Sequence, residues 1–207
     1  MKHLFVIATG NPGKIKDFAH ILGTENKEFK TLKDIGFTDD IVEDGDSFEA
    51  NAIIKSSTVA KWLCEKHIEA SVLADDSGLE VFALNGEPGI YSARYCPKPG
   101  ADDADRRHYL LENIQKCGAE RPWTARFRCE IAIVFPGENR TLRASGACEG
   151  EIIPEERGSN GFGYDPVFYK PELGRTLAEL SEAEKNAISH RGNAIKKAKP
   201  FLMSIER

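Results

Sequence analysis

Leu4-Phe5-Val6-Ile7-Ala8-Thr9-Gly10-Asn11-Pro12-Gly13-Lys14-Ile15 decides the fold class of this chain. The apolar run Leu4 to Ala8 reads as a buried first strand. Gly10-Asn11-Pro12-Gly13 ends it in a turn. Ile15, Phe18, Ala19 and Leu22 then recur at helical spacing, so a helix follows. A strand that feeds a helix is the unit of α/β architecture.

The rest of the chain keeps mixing the two periods. Phe48, Ala52, Val59, Trp62 and Leu63 predict a helix from about Ser47 to Lys66. Ser71-Val72-Leu73-Ala74 reads as a strand running into Asp75-Asp76-Ser77-Gly78, and Glu80-Val81-Phe82 as another short one. Asp102 can cap a helix carrying Tyr109, Leu110 and Ile114. Arg126 to Phe135 and Thr141 to Ile153 read as antiparallel partners joined through Pro136-Gly137-Glu138-Asn139. Gly158 to Asp165 is a glycine-rich loop, and Ser181-Glu182-Ala183-Glu184 matches a capping box that opens a C-terminal helix. Ser189-His190-Arg191-Gly192 interrupts that pattern before a last helix with Ile195, Ala198, Phe201 and Leu202, disturbed by Pro200. There is no internal repeat, low-complexity segment or linker, so the expectation is one α/β domain over residues 1–207.

Composition narrows the function classes. The chain has 207 residues, 28 Lys plus Arg against 33 Asp plus Glu, and a formal net charge of −5. That balance argues against general nucleic-acid binding, which needs a basic field, yet a few local cations and amides still suffice for a small anion. The first apolar stretch is too short for a signal-peptide core, and no run approaches a membrane span, so no membrane partner is expected. The five cysteines, Cys64, Cys96, Cys117, Cys129 and Cys148, are odd in number and form no C-x-x-C pair. Reduced thiols in a cytoplasmic protein are the expectation.

Four segments concentrate polar side chains beside glycine. In Thr9-Gly10-Asn11-Pro12-Gly13-Lys14 the glycines let backbone N–H groups approach an anion, the following helix offers its N-terminal amides, and Lys14 adds a full charge. The spacing is not that of a Walker A loop, and Ile15 stands where a magnesium-binding hydroxyl would be. A plain turn with a surface lysine is the competing reading. In Ala74-Asp75-Asp76-Ser77-Gly78, adjacent carboxylates at a strand end repel unless a cation relieves them, and magnesium favours carboxylate oxygens. If the strand continues through both aspartates, their side chains point to opposite faces and only one meets a metal directly. An exposed turn is the alternative.

Gly161-Phe162-Gly163-Tyr164-Asp165-Pro166 sets an aromatic residue between glycines, either as a wall on which a base stacks or as a plug under a loop. Lys185-Asn186-Ala187-Ile188-Ser189-His190-Arg191 offers a phosphate-binding lysine together with His and Arg donors for a base carbonyl. Lys185 and His190 need a break in the helix to converge, and a solvated helix junction is the plainer reading.

Taken together, these residues resemble the inosine triphosphate pyrophosphatase family, also called non-canonical purine NTP pyrophosphatases or XTP/dITP diphosphatases. The motifs, in order, are Thr9-Gly10-Asn11-x-x-Lys14, Leu73-Ala74-Asp75-Asp76-Ser77-Gly78-Leu79, Pro88-Gly89-Ile90-Tyr91-Ser92-Ala93-Arg94, Gly161-Phe162-Gly163-Tyr164-Asp165-Pro166 and Ser189-His190-Arg191. The resemblance implies an elongated α/β fold with a long mixed sheet, flanking helices and two lobes around a central substrate cleft, assembled as a homodimer. It implies hydrolysis of the α–β phosphoanhydride of ITP, dITP or XTP to the monophosphate and pyrophosphate, with Mg2+ as cofactor.

By the same resemblance, Thr9, Gly10, Asn11, Pro12, Gly13 and Lys14 cradle the triphosphate, and Asp76 is general base and metal ligand. Glu43 is an acidic metal-site position in a Glu-x-Gly segment, with Asp75 as a direct or indirect helper. Ser77, Phe162, Gly163, Tyr164, Asp165 and Lys185 bind substrate, and His190 with Arg191 reads the base. One departure stands out: many relatives carry Phe-x-Glu-Asn-Ala where this chain has Phe48-Glu49-Ala50-Asn51-Ala52. Ala50 cannot ligate metal, so that glutamate's role is absent here or moved to Glu49. Two competing expectations remain, a Maf-like nucleotide pyrophosphatase and a nucleotide sensor that binds without cleaving.

Overall fold

The computed structural model describes residues 2–10, 12–23, 26–135 and 140–204. Asn11 and the expected turn at residues 136–139 lie outside them. The described elements run β1 (His3–Ile7), α1 (Pro12–Leu22), β2 (Lys27–Thr31), α2 (Phe48–Glu65), β3 (Ser71–Val81), α3 (Asp103–Lys116), β4 (Trp123–Phe135), β5 (Arg140–Ile152), β6 (Phe168–Lys170), β7 (Arg175–Thr176), α4 (Glu182–Ile188) and α5 (His190–Ser204). Among the described residues seven strands form one sheet, in the order β2-β1-β3-β4-β5-β6-β7. β1 pairs parallel with β2 and with β3, setting Phe5 opposite Phe29 and Ser71. β6 pairs antiparallel with β5 and β7, with Tyr169 opposite Glu151 and Thr176. The sheet is therefore mixed, as expected, and the class is α/β.

Side-chain alternation along β1 decides what packs on each face. Phe5 and Ile7 enter a core with Phe18 and Leu22 of α1, Ile131 and Ile133 of β4, and Ala194, Ile195 and Leu202 of α5. Val6 and Ala8 enter another, with Val59, Ala60 and Leu63 of α2 and Val72 and Ala74 of β3. A third core gathers Leu79, Val81, Leu110, Ile114, Trp123, Phe127, Val167, Phe168 and Leu177. Contacts divide the chain into two compact units. The first comprises Met1–Asp76, Cys129–Gly146 and Arg191–Arg207, and the second Ser77–Arg128 and Ala147–His190.

Several boundaries differ from the sequence reading. Residues 71–74 and 80–82 are not two separate strands, and of the two readings left open for 75–78 the extended one holds. β3 is continuous for 11 residues through Asp75, Asp76, Ser77 and Gly78, and helical turn geometry begins only at Phe82. β3 pairs with β1 over Ser71–Leu73 and has β4 as its other neighbour in the sheet, and this context overrides the turn preference of Asp, Ser and Gly. The short strands β2, β6 and β7 are not legible from alternation, since Lys27-Glu28-Phe29-Lys30-Thr31 shows little of it and strands of two and three residues are too short to show any. Ser47 caps α2 by accepting from the Ala50 amide, and the capping boxes Asp102–Asp105 and Ser181–Glu184 are both formed. The break before the last helix is a single extended residue, Ser189, and Pro200 lies inside α5.

Candidate active site

Continuity of β3 sends its paired aspartates to opposite faces. Asp75 follows the Leu73 row toward α1 and α5, and Asp76 follows the Val72 and Ala74 row toward α2. The Asp75 side chain is wholly buried, with Oδ2 3.1 Å from Lys14 Nζ and 3.2 Å from Arg191 Nε. Arg191 Nη1 also meets Asp17 Oδ2 at 3.1 Å. Burial works to raise the Asp75 pKa, but the Lys14 and Arg191 charges prevail and hold the carboxyl well below its usual range. The same pairing raises Arg191 against its own burial. A charge taken out of water costs several kcal/mol, on the order that only close partners offset, so this trio is a tightly held ionic joint between β3, α1 and α5.

Asp76 belongs to a different constellation. Its Oδ1 lies 2.9 Å from Lys55 Nζ, and the same nitrogen lies 2.9 Å from Glu43 Oε2. Asn51, one helical turn before Lys55, donates to Asp76 Oδ2 at 3.3 Å and accepts from the Gly45 amide at 2.9 Å. Gly45 allows that close approach: a Cβ there would stand 2.7 Å from Asn51 Oδ1 and 2.8 Å from the Ala50 Cβ. Burial pushes the Asp76 carboxyl up, with Lys55 pulling the other way. For Lys55, burial pulls down and the Asp76 and Glu43 carboxylates outweigh it. Two carboxylates thus converge on one cationic centre. Glu49 does not join them; it pairs with Arg143 of β5.

Lys55 and Asn51 are functional candidates that the sequence reading did not single out. The signal was present: both fall on the buried face of α2 with Phe48, Ala52 and Val59. A lysine in the apolar stripe of a helix needs an acidic partner, and β3 supplies it.

In the second unit, Gly161 (φ +79) and Gly163 (φ +62) flank Phe162 in the left-handed region that favours glycine. Phe162 is half-exposed. Its amide donates to Asp165 Oδ2 at 2.9 Å, and Lys185 Nζ meets the same oxygen at 2.5 Å while standing 4.9 Å from the Phe162 ring centroid. A Cβ at Gly161 would collide with that carboxylate. Tyr164 is buried and donates through its hydroxyl to the Ser92 carbonyl at 2.9 Å, and burial pushes its pKa up. Ser92 Oγ in turn accepts from the Leu79 amide at 2.8 Å, which ties the 88–94 motif to β3. Phe162 is therefore the presented side chain of this loop, while Tyr164 and Asp165 hold the loop in shape.

His190 and Arg191 open α5 side by side yet turn to different partners. The buried His190 ring stacks on Phe127 at 4.9 Å, and the Arg191 guanidinium is committed to Asp75 and Asp17. Pro12 and Gly13 form the first turn of α1, Thr9 and Gly10 lead into it, and Ser77 follows Asp76 on β3. Among the described residues no three His, Cys, Asp or Glu converge as a metal cage, and no helix is long and apolar enough to cross a membrane. Glu43 and Asp76 share the Lys55 ammonium as Asp75 and Asp17 share the Arg191 guanidinium.

Relatives give this arrangement its context. The Ham1 family profile matches residues 5–201. The chain is 46% identical over 199 residues to a protein of Bacillus subtilis named dITP/XTP pyrophosphatase, covering 95% of this chain and 96% of that one. It is 45% identical over 193 residues to a protein of the same name from Bacillus anthracis, covering 93% and 92%. Among solved structures, the Ham1 protein of Staphylococcus aureus aligns with TM-score 0.84 at 43% identity, covering 98% of this chain and 99% of that chain. A HAM1 protein from Coxiella burnetii aligns with TM-score 0.88 at 39% identity, with the same coverage. Sequence and fold agree over nearly the whole length, and the chain belongs to the Ham1 family.

Proposed function

We propose that this chain hydrolyses non-canonical purine nucleoside triphosphates, ITP, dITP and XTP, to the nucleoside monophosphate and pyrophosphate. One observation carries the reading: the Lys55 ammonium sits 2.9 Å from both Glu43 and Asp76, so two carboxylates already converge on a cation. That donor set fits magnesium, which takes one or two protein carboxylates and completes its shell with water and substrate phosphate oxygens. Glu43 and Asp76 would hold the ion, and Asp75, turned to the other face, would anchor Lys14 and Arg191 instead. Bound there, magnesium would neutralise phosphate charge and acidify a water.

The chain's own groups do the remaining work. The loop from Thr9 to Lys14, with Ser77, would cradle the triphosphate, and Lys14, Lys55 and Lys185 would offset charge that grows on the leaving pyrophosphate. Asp76 orients the attacking water toward the α-phosphorus and accepts its proton. Phe162 offers a face for the purine, and His190 a donor for the 6-carbonyl, which ATP replaces with an amino donor. A site built around a required hydrogen bond discriminates by roughly 10⁴–10⁵. The reading extends to one functional domain over residues 1–207, acting as a cytoplasmic homodimer; the near-complete coverage of chain and relatives by one another supports the single domain.

The test is a panel of ITP, XTP, GTP and ATP with magnesium, with products identified. IMP and pyrophosphate from ITP are expected, and Asp76→Asn should cut kcat by about 10³ while leaving the unfolding midpoint near wild type. Release of orthophosphate, or intact ITP, overturns the reading.

A further inference from the structure

Helix α3 grips Gly163, the residue after Phe162, through both its N–H and its C=O. The Gly163 N–H donates to Asp103 Oδ2 at 2.7 Å, and the Gly163 carbonyl accepts from Arg107 Nη1 at 2.9 Å. Asp103 and Arg107 are four residues apart, so they share one face of α3. Each is itself locked. The other Asp103 oxygen pairs with Arg106, which also donates to the Ala101 carbonyl at 2.8 Å. Arg107 forks onto Glu156 with two bonds of 2.9 Å, fixing the plane of its guanidinium.

A glycine is present at 163 for its backbone angle, not for space: a Cβ would meet nothing within 4 Å, but φ is +62. Such a residue is the freest in the chain when it is not held, and charge-assisted bonds to its N–H and C=O are the strong kind. Burial works to raise the Asp103 pKa, and the Gly163 amide and Arg106 outweigh it, keeping the acceptor ionised. With Asp165 holding the Phe162 amide on the other side, both peptides around the Phe162 ring are fixed while the ring stays half-exposed.

We propose that Asp103 and Arg107 are specificity-determining positioning residues: by clamping the Gly163 peptide they fix the tilt of the Phe162 ring and so set which purine the site accepts. The inference rests on the nucleotide reading given above. Stacking alone is tolerant, because every base has a π-face. A ring free to swing follows any purine into place. A ring held at one tilt presents the base edge to its donors in one register, so a wrong exocyclic group stays unpaired. The clamp acts on base choice and leaves phosphate chemistry alone.

The experiment compares kcat and KM for ITP and ATP in wild type, Asp103→Ala, Asp103→Asn, Arg107→Met and Arg107→Lys. Removing one charge-assisted bond should raise KM for ITP about tenfold in Asp103→Ala and Arg107→Met. The ITP-over-ATP ratio of kcat/KM should shrink about tenfold, with kcat for ITP within about twofold. Asp103→Asn keeps an acceptor for the Gly163 N–H, and Arg107→Lys keeps a donor for its carbonyl, so both should restore most of the ratio. Amide exchange of residues 161–165 should speed up in the first pair and not in the second. If Asp103→Ala does not fold, Arg107→Met decides, because it leaves the Asp103–Arg106 pair in the first turn of α3 intact. Wild type that cleaves no triphosphate overturns the nucleotide reading and this inference with it. Active wild type with an unchanged ratio in folded Arg107→Met overturns the clamp alone.

Discussion

The Arg191 guanidinium donates through Nε to Asp75 Oδ2 at 3.2 Å, across 116 positions of sequence, and its Nη1 holds Asp17 in the same buried joint. The sequence resemblance assigns Arg191 to base reading and so expects Arg191→Ala to narrow the preference for ITP over ATP. The geometry gives a different expectation. Arg191→Met should lower stability by about 3–5 kcal/mol, the cost of leaving a buried charge short of a partner, with the ITP/ATP ratio of the folded enzyme little changed. Urea unfolding followed by kinetics on the folded protein separates the two; a normal midpoint with a narrowed ratio would return Arg191 to the base.

The paired aspartates also show how far sequence reading reaches. Alternation along a strand was enough to say that Asp75 and Asp76 face opposite ways if the strand runs on, and it does. What alternation could not supply is the far side of each face. Lys14 and Arg191 meet at Asp75 from two helices distant in sequence, Asp17 joins through Arg191, and Lys55 reaches Asp76 from a third helix. Local preference leaves Asp75-Asp76-Ser77-Gly78 open between strand and turn, because it speaks only for an isolated segment, and the pairing of β3 within the sheet settles it as extended. Caps were legible because they are local: Ser47, Asp102 and Ser181 each reach an amide three residues on.

Lys55→Met leaves Glu43 and Asp76 facing each other without their ammonium. In chelator, the variant should unfold at lower denaturant than wild type, because adjacent carboxylates lose the cation that relieves them. Added magnesium should stabilise the variant by about 2.7 kcal/mol once the ion reaches a hundred times its Kd, and at that same concentration it should stabilise wild type less, because there the ion must displace the Lys55 ammonium. A magnesium titration of the unfolding midpoint reads this directly, without turnover. Midpoints that ignore magnesium in both proteins would remove Glu43 and Asp76 as its ligands.

Gly45→Ala tests the approach of the Glu43 segment to α2. The added methyl would stand 2.7 Å from Asn51 Oδ1 and 2.8 Å from the Ala50 Cβ, and neither can retreat without breaking the Gly45–Asn51 bond. Asn51 would lose its hold on Asp76, and Glu43 would be displaced from Lys55. The magnesium concentration for half-maximal activity should rise about tenfold, the lower end of what supporting residues contribute at metal sites. An unchanged half-saturation would mean that Asn51 does not orient the carboxylates.

Glu184 offers a pH test remote from the aspartates. Its carboxylate accepts from the Ser181 amide at 2.9 Å, from Ser181 Oγ at 2.8 Å and from Arg175 at 2.9 Å, which pulls its pKa from 4.5 down to about 2. A carboxyl with a depressed folded pKa adds stability that is complete above the unfolded value and fades as pH falls through the folded one. Glu184→Gln should therefore unfold earlier than wild type at pH 7, and the gap should close as pH drops from 4.5 toward about 2. The gap is read from denaturation midpoints of both proteins across that range. Because Glu184 sits at the start of α4, beside Lys185, amide exchange should place the weakened region in that helix. A gap that persists unchanged below pH 2 would mean that the variant acts through lost packing and not through this charge.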